Sequence, residues 1–87
     1  MSEFPGFRDN LDAINAMFPT GGILNIEQIR EFTGFRDART IRKYLGYAMD
    51  GEYISKANLA RHYAMPASDR ETLQRRHRQK TGRRGRP

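Results

Sequence analysis

The apolar residues of this 87-residue chain are almost confined to its first 65 positions. Beyond Met65, Leu73 is the only large apolar side chain, so a hydrophobic core has to be assembled from the part before it. A domain of this size buries only a modest core. The chain has no cysteine, so no disulfide framework supplements that core. We therefore expect one small domain followed by a segment that cannot fold by hydrophobic burial.

The charges of the chain are segregated in the same way. Residues 1–65 carry eight Lys/Arg and eight Asp/Glu, whereas residues 66–87 carry eight Lys/Arg against Asp69 and Glu71. Like charges at that density resist collapse, although Ser68 and Glu71 form a capping-box pattern that could start a helix on binding. Seven of the eight cations are arginines, which suit phosphate and groove contacts. The sequence predicts a flexible, disordered Arg-rich tail over 66–87 that binds a polyanion; a purely solubilising tail is the alternative.

Local signals place a helix near the N-terminus. Asp9 is suited to cap it, and its apolar stripe would be Leu11, Ile14, Met17 and Phe18. The run Pro19-Thr20-Gly21-Gly22 ends it. Residues 1–22 are therefore interpreted as an N-terminal helix and linker that pack on the core, with the helix over 9–18.

A pair of short helices follows the possible strand Ile23-Leu24. Asn25 and Gln28 form a capping box that opens the first of them, and Gly34 fits the left-handed position that ends it. Asp37 caps the second, over 38–46, which Gly46 ends. Two short helices with a tight turn between them indicate a helix-turn-helix.

A β-hairpin is predicted next. Asp50-Gly51 lies between the triplets 47–49 and 52–54, and an Asp-Gly pair favours a type I′ turn. Ser55 then caps a last helix, which Met65-Pro66 closes. The fold class is thus mainly α with a small β-hairpin: a winged helix-turn-helix over 23–65, with an extra N-terminal helix and a disordered basic C-terminal tail.

The second helix of the pair carries the candidate recognition residues. Turning it by about 100° per residue directs Arg39, Thr40 and Lys43 away from the apolar stripe, with Arg42 on the flank. Such side chains could reach base edges in the major groove, and Arg36 lies in the preceding turn. An ordinary solvated helix face is the alternative. The wing would contribute Tyr47, Gly51 and Tyr53, although a wing that only packs is an equal alternative.

The tail supplies a further set of candidate DNA contacts. Its segment Arg84-Gly85-Arg86-Pro87 looks like the core of an AT-hook, whose arginines lie along a narrow minor groove; nonspecific attraction to phosphate is the alternative. The candidate residues of the tail are Arg75, Arg76, Arg78, Lys80, Arg83, Arg84 and Arg86.

Other chemistry finds little support in the sequence. His62 and His77 have no Cys or carboxylate cluster at metal-ligand spacing, and no serine stands in a nucleophile motif. We therefore expect no enzyme activity, metal or cofactor. No apolar run approaches the roughly 20 residues of a membrane span, and no secretory signal is visible. The expected location is the cytoplasm, in association with the nucleoid.

Residues 24–64 resemble a known family. The segments Leu24–Ile29, Phe32–Gly34, Arg39–Leu45 and Tyr53–Leu59 look like the excisionase-type winged helix of the MerR superfamily. The resemblance implies a recombination directionality factor that binds and bends double-stranded DNA, directs an integrase toward excision, and binds in several copies side by side. A small phage or mobile-element transcription regulator is the close alternative, because fold does not fix function. An RNA-binding protein or a protein-interaction adaptor is a more distant one.

Overall fold

The computed structural model describes residues 4–84, and the side chains of residues 4–79. Within that range the protein is mainly helical and has one small antiparallel sheet of two strands. The elements in chain order are α1 (Phe7–Met17), β1 (Ile23–Leu24), α2 (Ile26–Thr33), α3 (Ala38–Leu45), β2 (Ile54–Ser55), α4 (Lys56–Ala64) and α5 (Ala67–Arg84). A short 3₁₀ helix, Gly46–Ala48, follows α3 directly.

The N-terminal helix begins earlier than the sequence predicts. α1 starts at Phe7, and its N-cap is Gly6 in a left-handed conformation (φ 91°), so Asp9 lies in the first turn and is not the cap. Phe7 packs against the core, and the guanidinium of Arg61 lies 5.6 Å from its ring centroid. Tertiary packing of Phe7, rather than a side-chain cap, therefore sets the start of the helix.

The capping chemistry of α2 and α3 is confirmed. The side chain of Asn25 accepts from the Gln28 backbone N–H at 2.9 Å, and the Gln28 side chain accepts from the Asn25 N–H at 3.0 Å. Gly34 ends α2 with a positive φ of 79°. Asp37 then accepts from the backbone N–H of Thr40 at 2.8 Å. Two short helices with a four-residue turn between them therefore form where the sequence predicts them.

The predicted hairpin is present only in part. The first predicted strand, 47–49, is wrong: Gly46 keeps a right-handed conformation and the chain continues into the 3₁₀ helix. The carbonyl of Ala48 accepts from the Asn58 side chain at 3.2 Å, which stabilises that helix. The second predicted strand forms in part as β2 and pairs with β1, so the sheet joins segments far apart in sequence.

The turn within this region is shifted by one residue from the predicted one. Asp50 and Tyr53 form an isolated antiparallel bridge, so the central residues of the turn are Gly51 and Glu52 rather than Asp50 and Gly51. Gly51 has a positive φ of 66°. Every residue with a positive φ in the described part of the chain is a glycine, so the φ of Glu52 is not positive. A positive φ at only the first central residue is typical of a type II′ turn, not of the predicted type I′ turn.

The core joins α1 through α4 and both strands. Its fully or almost fully buried members are Ile14, Leu24, Ile29, Ile41, Leu45, Ile54, Leu59 and Ala60. α1 packs along α4. Lys56 is buried at the same junction, and its Nζ donates to Asn15 Oδ1 at 3.0 Å and to the carbonyls of Phe18 and Thr20. These bonds satisfy carbonyls at the C-terminal end of α1 and fix that helix to α4.

The segment predicted to be disordered is helical in the structure. α5 covers Ala67–Arg84 and contacts both α3 and the 3₁₀ helix. Its half-buried residues lie on one helical face: Arg70, Leu73, Gln74 and His77. Because only Leu73 of these is apolar, hydrophobic periodicity gives no sign of the docking. The prediction of disorder is therefore wrong for 67–84, and residues 85–87 lie outside the described part.

Candidate nucleic-acid interface

The exposed face of α3 carries three of the predicted recognition residues. Arg39, Arg42 and Lys43 are exposed, Thr40 is half-buried, and the opposite face of the helix is fully buried in the core. The side chain of Lys43 also lies over the ring of Tyr44, with its Nζ 5.4 Å from the centroid. The exposure of Arg39 and Lys43 agrees with the predicted rotation of this helix, whereas Thr40, predicted to point outward, is half-buried, and Arg42, predicted on the flank, is exposed.

The turn before α3 is also charged and exposed. Arg36 is exposed there, beside the capping residue Asp37. Hydrogen bonds from the backbone and side chain of Thr40 lower the pKa of Asp37, and the charges of Arg39 and Arg30 add to this effect. The carboxylate therefore stays charged at neutral pH and keeps the helix N-terminus in place.

An ion pair connects α3 to the turn at Asp50–Tyr53. Arg42 Nη2 lies 2.9 Å from Glu52 Oε1, and both side chains are more than half exposed. An exposed pair of this kind contributes little to stability. It does hold Arg42 against a carboxylate on the surface where a phosphate would have to bind.

The three predicted wing residues are not equivalent in the structure. Gly51 forms the exposed turn, and Tyr53 beside it is 55% exposed. Tyr47 is instead half-buried in the 3₁₀ helix, and its hydroxyl forms a 2.5 Å hydrogen bond with His62 Nδ1. The prediction that Tyr47 lies on an exposed wing is wrong, because the strand that would have exposed it does not form.

His62 is a structural residue of the packed interior. It is only 5% exposed, and its ring packs edge-on against Tyr63. Burial lowers the pKa of His62 to about 4, and the positive charge of Arg70 adds to the effect. Burial also raises the pKa of Tyr47. The tyrosine therefore keeps its proton at neutral pH, and the hydrogen bond joins a neutral phenol to an uncharged imidazole.

The docked position of α5 brings part of the predicted tail near α3. Gln74 Nε2 donates to the backbone carbonyl of Tyr44 at 2.9 Å, and a Cβ added at Gly46 would lie 3.1 Å from Nε2 of His77. Arg75, Arg76 and Arg78 are exposed. The described side chains of α5 therefore form a basic surface at a fixed place beside α3.

The remaining tail residues fall outside the described side chains. This applies to Lys80, Arg83, Arg84 and Arg86. Residues 85–87 of the AT-hook-like segment are outside the described backbone as well, so that interpretation stays a prediction.

Sequence reasoning missed two functional features of this surface. One is the Arg42–Glu52 ion pair, and the other is the contribution of His77, which with Arg78 faces the exposed residues of α3 across a cleft. Neither feature leaves a local sequence signal, because the partners belong to different elements.

The described part of the chain holds no cluster suited to a metal ion. No group of three or more His, Asp or Glu side chains is close enough together among these residues. Among the helices described, none combines the length and the apolar character that a membrane crossing requires.

Comparison with known proteins adds no relative. No protein-family model, curated protein or solved structure was found to match the chain. The candidate interface therefore depends on its own geometry and chemistry.

Proposed function

We propose that this protein binds double-stranded DNA as a winged helix-turn-helix, with α3 as the recognition helix. The observation that carries the proposal is the solvent exposure of Arg39, Arg42 and Lys43 on a helix whose opposite face is fully buried. At about 1.5 Å per residue, its eight residues extend about 12 Å, a length that suits entry into the major groove. Arginine and lysine are the side chains that most often recognise guanine there.

The elements around α3 fit supporting roles in this scheme. α2 and the capped turn support α3, whose Ile41 and Leu45 are anchored in the core, and the Gly51 turn with Tyr53 would lie along the sugar–phosphate backbone or in the minor groove. α5 would add a sequence-independent attraction, which falls as salt is raised.

The first experiment tests sequence-specific binding. Duplexes selected by the wild-type protein from a random pool are compared with scrambled duplexes for Arg39→Ala, Lys43→Ala and the control Arg8→Ala, which removes a charge from α1. We expect each α3 substitution to reduce discrimination by about 1–3 kcal/mol, while the control keeps it. Equal losses for all three variants on both kinds of duplex would contradict a reading role for α3.

The biological role that we propose is that of a recombination directionality factor, which bends DNA and directs an integrase toward excision. The family resemblance of residues 24–64 supports this role. The test adds purified protein to its cognate integrase and scores attachment-site products. An unchanged balance of integration and excision, with specific DNA binding intact, would remove this role and leave that of a transcription regulator.

A further inference from the structure

The exposed face of α3 forms one wall of a cleft whose other wall is α5. The cleft has a volume of about 700 Å³ and is open to solvent. Its described lining consists of Arg39, Thr40, Arg42, Lys43, His77 and Arg78. Recognition residues of α3 and the C-terminal half of α5 therefore face the same space.

The position of α5 is set by specific contacts. Gln74 bonds to the carbonyl of Tyr44 at the end of α3, and His77 lies against Gly46 in the next turn of the chain. The docked face of α5 is half-buried, whereas Arg75 and Arg76 point to solvent. Arg78 thus stands opposite α3 because of the docking.

The charges of the cleft indicate what it binds. Four of its six lining residues are Lys or Arg, they come from both walls, and none of the lining residues is Asp or Glu. Arg42 is paired with Glu52, which does not line the cleft. A helix that served to cover α3 in the free protein would be expected to carry acidic residues, because opposite charges attract and like charges repel. Walls of the same positive charge are stabilised by an anion between them.

We propose that the cleft seats a phosphodiester segment of one DNA strand, so that α3 and α5 lie on either side of that strand. This inference builds on the proposed function and makes it more specific: α5 is a fixed second wall of the interface and not a trailing arm. Arg78 hydrogen-bonds to the phosphate oxygens of this segment, an interaction that is stronger than a neutral hydrogen bond, while Arg39 and Lys43 keep their proposed contacts with the bases. His77 contributes packing against Gly46 that keeps the wall in place.

The main experiment compares Arg78→Ala with Arg75→Ala on the full chain, using a duplex selected by the wild-type protein. Both changes remove one arginine from α5, but only Arg78 lines the cleft. We expect Arg78→Ala to weaken binding about tenfold and Arg75→Ala about twofold, since only the first loses a directed phosphate contact. Hydroxyl-radical footprinting should show that Arg78→Ala loses protection of one short backbone segment. Equal effects of the two substitutions would overturn the proposal.

A second experiment separates a cleft wall from a cover over α3. Gly46 has right-handed backbone geometry, and a Cβ there would lie 3.1 Å from the His77 side chain, so we expect the bulkier side chain of Gly46→Leu to push His77 aside and loosen the docking of α5. Gly22→Leu is the matched control, because a Cβ there meets nothing within 4 Å. We expect Gly46→Leu to weaken binding about tenfold, as loss of the α5 wall requires. Tighter binding would show that α5 covers α3 and would overturn the proposal.

The outcomes distinguish this proposal from the proposed function. If Arg39→Ala lowers discrimination while Arg78→Ala and Arg75→Ala act alike, α3 reads DNA but the cleft does not seat a strand. If Arg39→Ala has no effect on discrimination, the proposed function itself fails. Circular dichroism melting of each variant ensures that a loss of binding is not a loss of folding.

Discussion

His62 should make the stability of this protein depend strongly on mild acid. Its ring is 5% exposed, shares a hydrogen bond with the Tyr47 hydroxyl, and lies near Tyr63 and the positive charge of Arg70. Protonation would place a charge in this buried environment, where water cannot solvate it, and would add it to the positive charge of Arg70. The pKa of His62 is therefore lowered to about 4, from an ordinary value of 6.5.

The size of this loss of stability follows from the difference between the pKa values of His62 in the folded and unfolded states. Between pH 6.5 and about pH 4, the unfolded chain binds a proton at this histidine and the folded chain does not, so stability decreases as the pH is lowered. Each tenfold difference in proton affinity corresponds to about 1.4 kcal/mol, so acidification from about pH 7.5 to about pH 4.5 should remove roughly 2–3 kcal/mol. This contribution to stability is fully present above pH 6.5, the ordinary pKa that the histidine has in the unfolded chain. It is lost as the pH falls toward the folded-state pKa of about 4, below which no further loss occurs.

Urea denaturation at a series of pH values measures this effect. The wild-type protein should lose roughly 2–3 kcal/mol across the interval, and His62→Gln should lose much less because glutamine does not titrate. The lowered pKa of Asp37 acts mainly below its ordinary value of 3.8, outside this interval. A fall in stability of the same size in His62→Gln would refute the assignment.

Three further changes test other parts of the structure. Glu52→Gln should release Arg42 for phosphate and tighten DNA binding about threefold at low salt, with little change in stability. The control Asp12→Asn, on α1, should leave DNA binding unchanged. Filter binding at several salt concentrations measures the affinity of both variants. Asp37→Ala removes the N-cap of α3 and should lower the free energy of unfolding by about 1 kcal/mol in urea titrations. Lys56→Met keeps the buried stem but leaves carbonyls at the end of α1 without their donor, which should cost about 2 kcal/mol; an unchanged melting temperature would contradict that role.

The sequence predicted the central helix pair well because its signals are local. The capping box at Asn25, the left-handed Gly34 and the cap at Asp37 each involve residues two to four positions apart, so their chemistry can be read directly from the chain. The exposed face of α3 followed from helical periodicity around Ile41 and Leu45, which are both fully buried.

The region after α3 could not be predicted in the same way. A hairpin signal at Asp50-Gly51 competed with contacts from other elements, namely the hydrogen bond of Tyr47 to His62 and that of Asn58 to the Ala48 carbonyl. These contacts favour a 3₁₀ helix over a strand. They join residues at least ten positions apart, which no local pattern encodes.

The sequence by itself determined most of the apolar residues of the core, where α2 and α3 begin, and which face of α3 is cationic, because helix periodicity and capping are short-range effects. It did not reveal that Met17 is 43% exposed or that Lys56 and His62 are buried. Only the tertiary structure decided that α5 docks beside α3, since the docked face has Leu73 as its one large apolar residue and is held by polar contacts such as that of Gln74 with the Tyr44 carbonyl. The cleft between the two helices exists for the same reason. Its walls come from segments more than thirty residues apart, and their meeting depends on packing rather than on the chemistry of either segment alone.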